Sequence, residues 1–311
     1  MADKLVYIQR YVACAACALV IILCVSAAGW HAMANAAESN FQVAILVSKH
    51  VKPYMEAASG LGDCLQEQGK KSQVILLNDK DLFERQQLIK VLQESQSFEA
   101  AVAIGPQAMK FLWTIPEPNI PFLFSMVLHP DQLRTETSPP LCGVSLFIPV
   151  DMQLQSIEES LPGKTRIGLL FHPDHNRKFF DQAVRAAKDS GKRIVPLAIA
   201  DQGNISDVLS RGLRQVDALW LIPDRVLTSQ KVVEYIIKQA LYANVPVVGY
   251  NRFFHQSGAA VSFVFDYSSI GRQTGQLLMR RLSGRDCRVV SAKFEVWENE
   301  RIFDLLGLED E

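Results

Sequence analysis

The sequence predicts an α/β protein with two doubly wound parallel-sheet lobes joined by a multi-strand hinge. From residue 41 onward, short apolar runs alternate with amphipathic stretches, as in parallel sheets with helices on both faces. Runs such as "RIGLLF" and "DALWLI" are almost continuously apolar, which indicates strands buried on both sides. The alternation starts again near residue 150, and 311 residues are enough for two domains.

The first half alternates strands with helices. Pro106 suits the first turn of its helix, and Asp79 or Asp81 is available as the N-cap of the helix before it. The predicted strands are 41–47, 72–78, 98–105, 120–126 and 141–147, and the predicted helices are 55–68, 81–95 and 106–113.

The second half repeats this order and ends in a strand–helix tail at 292–307. Its predicted strands are 165–171, 193–199, 216–224, 245–250 and 259–266, and its predicted helices are 150–163, 177–191, 205–215, 229–244 and 268–283. We assign residues 40–147 and 266–286 to the first lobe, 148–260 to the second, and 287–311 to a C-terminal strand and helix that cross back toward the second lobe. We expect the hinge crossings near 145–150, 258–266 and 286–295.

The first 36 residues have the composition of an export signal. Lys4 and Arg10 precede an apolar run over residues 11–29, and an A-x-A site follows at 34–36. The run is long enough to span a bilayer, so an uncleaved inner-membrane anchor is the alternative. Either form predicts a protein whose body lies outside the cytoplasm, in the periplasm.

The cysteines do not form a pattern typical of metal or redox sites. Three of them, at positions 14, 17 and 24, lie in the apolar run and should leave with it. At most one disulfide can form among those that remain, and we expect buried thiols. The remaining cysteines are Cys64, Cys142 and Cys287.

Charge and motifs give little support to nucleic-acid binding or catalysis. The formal net charge is −1 and no basic tract is present. "PGKT" at 162–165 has Glu158 where a phosphate-binding loop needs glycine, and it precedes a strand. His172 and His175 could ligate a metal, but no further pair is spaced to complete the site. We therefore predict no catalytic residue, no metal and no cofactor.

Polar and aromatic residues follow the ends of several predicted strands. In a two-lobed α/β protein, ligands bind between the lobes at the carboxyl ends of the strands. Any one of these residues could simply end a strand or cap a helix, but their recurrence favours a binding cleft. The predicted ligand-binding residues are Ser48, Tyr54, Gly105, Pro106, Gln107, Ser125, Asn176, Asp224, Tyr250, Asn251 and Phe253.

Several segments resemble proteins of the ABC-transporter substrate-binding family, and in particular relatives of the members that bind aromatic amino acids. These include "GVSLFIPVDMQLQSIEESLPG" (143–163) and, most strongly, "DYSSIGRQTGQLL" (266–278). The resemblance extends over nearly everything after the signal and implies the type I periplasmic-binding-protein fold. The positions that match the ligand contacts of relatives differ here, at "GPQ", "PDRV" and "YNR", so the resemblance does not identify the ligand.

The resemblance also implies roles for individual residues. The turn at 105–107 matches one that receives the ligand's carboxylate, and Asp224 matches an acidic residue that can hold an amino group. Asp224 could instead pair with Arg225 or Arg252. Further polar positions of the family's site are matched by Ser125, Asn176 and Asn251.

The leading hypothesis is therefore a solute receptor, not an enzyme, that delivers a small polar metabolite to a membrane permease and its ATPase. The ligand would be amino acid-like or would carry a carboxylate or aromatic part. Lys49 or Arg252 could supply a countercharge. One alternative is a sensory module that reports ligand to a membrane kinase or receptor. Another is an enzyme on the same fold, which would need a paired acid and base in the cleft.

Overall fold

The structure is a computed structural model. It describes residues 42–308 except for 79, 95–96, 117, 135–139 and 228. The predicted signal segment with its three cysteines, and the alternative cap Asp79, lie outside the described residues. Among the helices that are described, none combines the length and the apolar character needed to cross a membrane.

Strands and helices alternate through most of the described chain. The strands are β1 (Gln42–Val47), β2 (Lys71–Leu76), β3 (Phe98–Ile104), β4 (Phe122–Val127), β5 (Gly143–Ser145), β6 (Arg166–Phe171), β7 (Arg193–Ala198), β8 (Ala218–Leu221), β9 (Val247–Gly249), β10 (Val261–Val264), β11 (Val289–Ser291) and β12 (Glu295–Glu298). The helices are α1 (Lys52–Glu67), α2 (Leu82–Glu94), α3 (Pro106–Trp113), α4 (Val150–Ser160), α5 (Pro173–Asp189), α6 (Ile205–Gly212), α7 (Gln230–Tyr242), α8 (Arg252–Gln256), α9 (Tyr267–Leu282) and α10 (Glu300–Leu306). Short 3-10 helices lie at Pro130–Leu133, Gln202–Asn204, Leu213–Gln215 and Arg225–Leu227.

The strands form two six-stranded sheets, which confirms the predicted fold class. The first sheet has the order β11-β5-β4-β3-β1-β2 and the second the order β12-β10-β9-β8-β6-β7. The described pairs are parallel except for β12, which lies antiparallel to β10. We call each sheet with its helices a lobe. The chain passes between the lobes at 146–149, 265–266 and 292–294, and these crossings form the hinge. The exact lobe boundaries stay a prediction.

Three local elements differ from the sequence prediction. β11 was not predicted, and it pairs with β5 at the edge of the first sheet. α5 begins at Pro173 instead of 177, because Pro173 suits the first turn and the ring of His172 accepts a hydrogen bond from the Asp174 N–H. α8 was also missed; it is a helix of five residues in what the sequence suggested was a loop.

The predicted starts of α2 and α3 are confirmed. Asp81 caps α2 through a reciprocal pair of hydrogen bonds with Glu84, in which each side-chain oxygen accepts from the other's main-chain N–H at 2.8 and 3.1 Å. Pro106 occupies the first turn of α3, where its missing N–H costs nothing.

Helices α1 and α9 pack closely against each other on the first sheet. A Cβ atom at Gly60 would lie 2.1 Å from the carbonyl oxygen of Ser268, and one at Gly271 would lie 2.0 Å from that of Ala57. Only glycine permits this approach at positions 60 and 271.

A disulfide joins Cys142 and Cys287, so the expectation of buried thiols was wrong for this pair. Pairing of β5 with β11 aligns Gly143 with Val289 and so brings the two cysteines together, with their Cα atoms 5.3 Å apart. Cys64 is a free, buried thiol.

Candidate functional site

A cavity of about 250 Å³ lies between the lobes. The first lobe contributes residues 128–132 after β4, the end of β5 and β11, and the first hinge crossing contributes Phe147. The second lobe contributes one face of α5, whose lining residues repeat at the three- and four-residue spacing of a helix. These are His175, Asn176, Lys178, Phe179 and Gln182.

A smaller inner pocket of about 10 Å³ adjoins this cavity and shares several of its walls. It has room for roughly one water-sized group. The shared residues are Leu128, His129, Phe147, Asn176 and Phe179. The inner pocket is also lined by Gln153, Ile222, Pro223 and Tyr250.

Aromatic rings cross from one lobe to the other along this cleft. The ring of His129 lies 5.5 Å from that of Phe147, which meets Phe179 edge-on at 6.3 Å. Phe179 in turn meets the fully buried Trp220 at 5.4 Å. Such rings offer large contact area with little side-chain entropy to lose, so they suit a binding wall.

The charged groups of the cleft lie at its mouth. Asp131 and Lys178 are exposed there, on opposite lobes. Burial lowers the pKa of His129, which Asp131 partly offsets by raising it. The ring of His129 is therefore mostly neutral at pH 7, and the deeper part of the cleft carries little charge.

Ser48, Tyr54 and Gly105 form one cluster at the ends of β1 and β3. Gly105 has φ 87° and ψ 169°, a conformation open almost only to glycine. Ser48 Oγ accepts a hydrogen bond at 2.9 Å from the Ala108 N–H of α3. Pro106 has no N–H and the Gly105 N–H donates to the Ser125 carbonyl, so Gln107 carries the main-chain N–H of this turn that has no partner among the described residues. The Gln107 side chain is exposed.

Ser125 does not reach the cleft in this conformation. It is fully buried, and its hydroxyl shares a 2.8 Å hydrogen bond with that of Thr274 on α9. Its carbonyl accepts from the Gly105 N–H at 2.9 Å. Ser125 therefore ties β4 to its neighbours.

Asn176 and Asp224 are brought together, as the strand-end pattern predicts. Asn176 Nδ2 donates to Asp224 Oδ2 at 2.6 Å and to the Pro223 carbonyl at 3.1 Å. The same carboxylate accepts from the main-chain N–H groups of His172 and Val226. Asn176 lies at a non-helical kink within α5 and lines both cavities. Asp224 lies behind it and connects the loops after β6 and β8.

The alternative pairing of Asp224 with an arginine is not formed. Arg225 contacts His175 instead, with 2.5 Å between Nη1 and Nε2. Arg252 lies over the ring of Trp297 at 5.1 Å. The rings of His172 and His175 are 4.7 Å apart, yet no group of three or more metal-ligating side chains comes together in the part of the chain that is described.

Tyr250 lines the inner pocket and crosses between the lobes. Its hydroxyl donates to the main-chain carbonyl of Leu146 in the first hinge crossing, and its ring lies 5.7 Å from Phe265. Burial raises its pKa far above the ordinary value, so the hydroxyl keeps its proton as a donor.

Asn251 and Phe253 make contacts within the second lobe that stabilise α8. Asn251 Oδ1 caps α8 by accepting from the N–H groups of Phe253 and Phe254 at 2.9 and 3.2 Å. The ring of Phe253 meets that of Phe254 edge-on. Neither lines the two cavities, so their contact with ligand stays a prediction.

Sequence reasoning missed residues that line the cleft. Leu128 and His129 follow β4, and Phe147 follows β5. The expectation that ligand contacts follow strand ends could therefore have found all three. Gln153 had a weaker signal: it is a polar residue on the buried face that α4 forms with Val150 and Leu154.

The two lobes, the three crossings and the cavity between them define a type I periplasmic-binding-protein fold. The family model of ABC transporter substrate binding proteins matches residues 42–303, so the chain belongs to that family. Members of this family bind a small-molecule ligand and work with a membrane transporter. No curated protein sequence matches the chain significantly.

Solved structures share the fold at low sequence identity. The ligand-free, open structure of CD0873, a substrate-binding protein with adhesive properties from Clostridium difficile, is 18% identical, with a TM-score of 0.74 over 87% of this chain and 96% of that one. An ABC domain from Streptococcus pneumoniae in complex with L-Trp is 19% identical, with a TM-score of 0.59 over 86% and 95%. A sugar-binding protein from Bacillus halodurans is 9% identical, with a TM-score of 0.60 over 86% and 100%.

Proposed function

We propose that the chain is the extracytoplasmic solute-binding component of an ABC uptake system and has no catalytic activity. It holds a small polar metabolite, amino acid-like or with a carboxylate or aromatic part, between its lobes. The observation that carries this proposal is the cavity of about 250 Å³, walled by the first lobe on one side and by α5 on the other. A ligand that touches both walls favours the closed form, because it binds that form better than the open one.

The chemistry of the walls supports this class of ligand. Phe147 in the first hinge crossing and Phe179 in the second lobe offer aromatic surface, and Lys178 offers a positive charge at the mouth. A flat or apolar body with a charged end fits this arrangement. The structures that share the fold include one in complex with L-Trp and one of a sugar-binding protein, and the positive charge of Lys178 beside the aromatic wall favours an amino acid-like compound over a neutral sugar.

The contacts that we propose come from both lobes. In the first lobe they are Ser48, Tyr54 and the turn formed by Gly105, Pro106 and Gln107, none of which lines the two cavities in this conformation. In the second they are Asn176 and Tyr250, with Asp224 holding Asn176 in place and Asn251 and Phe253 shaping the adjoining loop. Ser125 is left out because its hydroxyl is buried against α9.

We also propose export to the periplasm, where the chain would present ligand to a permease driven by an ATPase. The Cys142–Cys287 disulfide supports this location, because structural disulfides persist in oxidising compartments. N-terminal sequencing of the exported protein distinguishes a cleaved signal from a retained anchor.

A two-part experiment tests the binding function. The first part is a thermal-shift screen of amino acids, purines, sugars and small carboxylates, in which we expect at least one compound to raise the melting temperature. The second is small-angle scattering with and without that compound, in which the radius of gyration should fall on closure. A screen without any stabilising compound, or scattering curves that superimpose, contradicts the proposal.

A further inference from the structure

Gln153 holds a hydrogen-bond acceptor without a partner at the inner pocket. The residue lies in the first turn of α4, is 1% exposed and lines this pocket. Its Nε2 donates to the main-chain carbonyl of Ile148 at 2.8 Å. Because a carbonyl can only accept, this bond fixes which end of the amide faces Ile148. The opposite atom, Oε1, is buried and has no hydrogen-bond partner among the described residues.

A buried amide oxygen that stays unpaired costs about 1–3 kcal/mol, so native structures rarely keep one without a reason. Two neighbouring side-chain donors are already in use, which leaves the ring N–H of His129 as the remaining side-chain donor in the wall of this pocket. Asn176 Nδ2 donates to Asp224 and Pro223, and the Tyr250 hydroxyl donates to Leu146. The inner pocket therefore presents an acceptor among aromatic walls.

We infer that Gln153 Oε1 accepts a hydrogen bond from the bound ligand, and that the group seated in the inner pocket is a donor: an ammonium, a ring or amide N–H, or a hydroxyl. This inference rests on the proposed solute-binding function and specifies the ligand's inward end. A carboxylate at this position would repel Oε1 and would find no spare donor from Asn176 or Tyr250. When the inward donor is a ring N–H or a hydroxyl, the anionic part of the ligand belongs toward the mouth, near Lys178; when it is an α-ammonium, the carboxylate on the same carbon stays just outside the inner pocket.

Calorimetry with three matched pairs of probes separates the possible donors. L-phenylalanine and 3-phenylpropionate differ by the ammonium, L-tyrosine and L-phenylalanine by the hydroxyl, and L-tryptophan and 1-methyl-L-tryptophan by the ring N–H. We expect the donor-bearing member of one pair to bind at least about tenfold more tightly to the full chain, which is the effect of one buried hydrogen bond.

Variants on one helix assign that preference to Gln153. In Gln153→Met the preference should disappear, whereas Gln153→Glu, which as a buried protonated acid keeps both the acceptor and a donor for the Ile148 carbonyl, should retain it. Gln155→Met is the matched control, because Gln155 is exposed on the same helix and bonded to Glu159. If Gln153→Met does not fold, the probe pairs measured on the wild type and on Gln153→Glu still test the inference.

The inference is overturned if the wild-type chain discriminates by less than about twofold within every pair, if it binds none of these probes, or if Gln153→Met keeps the preference. In each case the proposed function still stands when a compound of the wider thermal-shift screen binds. Failure of that whole screen contradicts the proposed function itself.

Discussion

The Tyr250 hydroxyl donates a hydrogen bond to the main-chain carbonyl of Leu146. Tyr250 follows β9 in the second lobe, and Leu146 begins the first hinge crossing out of the first lobe. The bond therefore joins the wall of the inner pocket to the segment that must bend when the lobes move.

We expect Tyr250→Phe to lower the free energy of unfolding by about 1–3 kcal/mol, because the half-buried Leu146 carbonyl loses its donor. Urea denaturation of the purified chain measures this change. Tyr242→Phe is the matched control, since the Tyr242 side chain is 72% exposed and the same substitution there should have little effect. Equal stability of the two variants would show that the interlobe bond contributes nothing.

We expect Gly105→Ala to destabilise the chain by at least about 2 kcal/mol, because its Cβ adds a steric clash to an unfavourable backbone conformation. That Cβ would lie 2.8 Å from both Ser48 Oγ and Tyr54 Cζ. Gly69→Ala is the control for backbone strain alone, since Gly69 has φ +70° but nothing within 4 Å of a Cβ. Denaturant unfolding compares the two, and similar losses would argue against crowding at Gly105.

The fold was predictable because its signals are long and redundant. Apolar strands separated by amphipathic helices define parallel sheets whatever the details of each turn. Short elements lack this redundancy: three-residue β11 is visible only when β5 lies beside it, and the Cys142–Cys287 bond depends on that pairing.

The candidate site was harder to predict for a chemical reason. An asparagine oxygen that caps a helix and one that binds ligand have the same chemistry, so Asn251 in sequence could be either. Only the hydrogen bonds that Asn251 Oδ1 accepts from the N–H groups of α8 identify the cap. Gln153, by contrast, is marked only by its place on a buried helix face, where a structural partner was the simpler expectation.

Loss of the Cys142–Cys287 disulfide should lower the free energy of unfolding by about 2–5 kcal/mol, because a bond across a long loop restricts the unfolded chain strongly. The two cysteines are 145 residues apart in sequence, and the loop includes strands β5 to β10. Urea unfolding with and without dithiothreitol measures the effect. The Cys142→Ala/Cys287→Ala double variant is the control, since its stability should not depend on the reductant. A wild-type midpoint that does not change on complete reduction would contradict this expectation.

Asp217 should make the stability of the second lobe depend on pH in the acid range. The Arg166 guanidinium donates to its carboxylate at 2.6 Å, and the main-chain N–H groups of Arg166 and Thr165 donate as well, which lowers the Asp217 pKa to about 2. The unfolded carboxyl has a pKa of about 4, so the unfolded chain takes up this proton first as the pH falls. The contribution of Asp217 is therefore complete above about pH 4 and is lost as the pH falls toward 2.

In Asp217→Asn this contribution is absent at every pH. The variant should be less stable than the wild type at pH 7, and the difference between them should narrow steadily from about pH 4 to 2. Urea unfolding across that range measures both slopes. Asp207→Asn, at an exposed carboxylate of the same lobe, reports the general effect of removing one negative charge. If the wild type and Asp217→Asn lost stability in parallel on acidification, the hydrogen bonds from Arg166 would not be the source of the pH dependence.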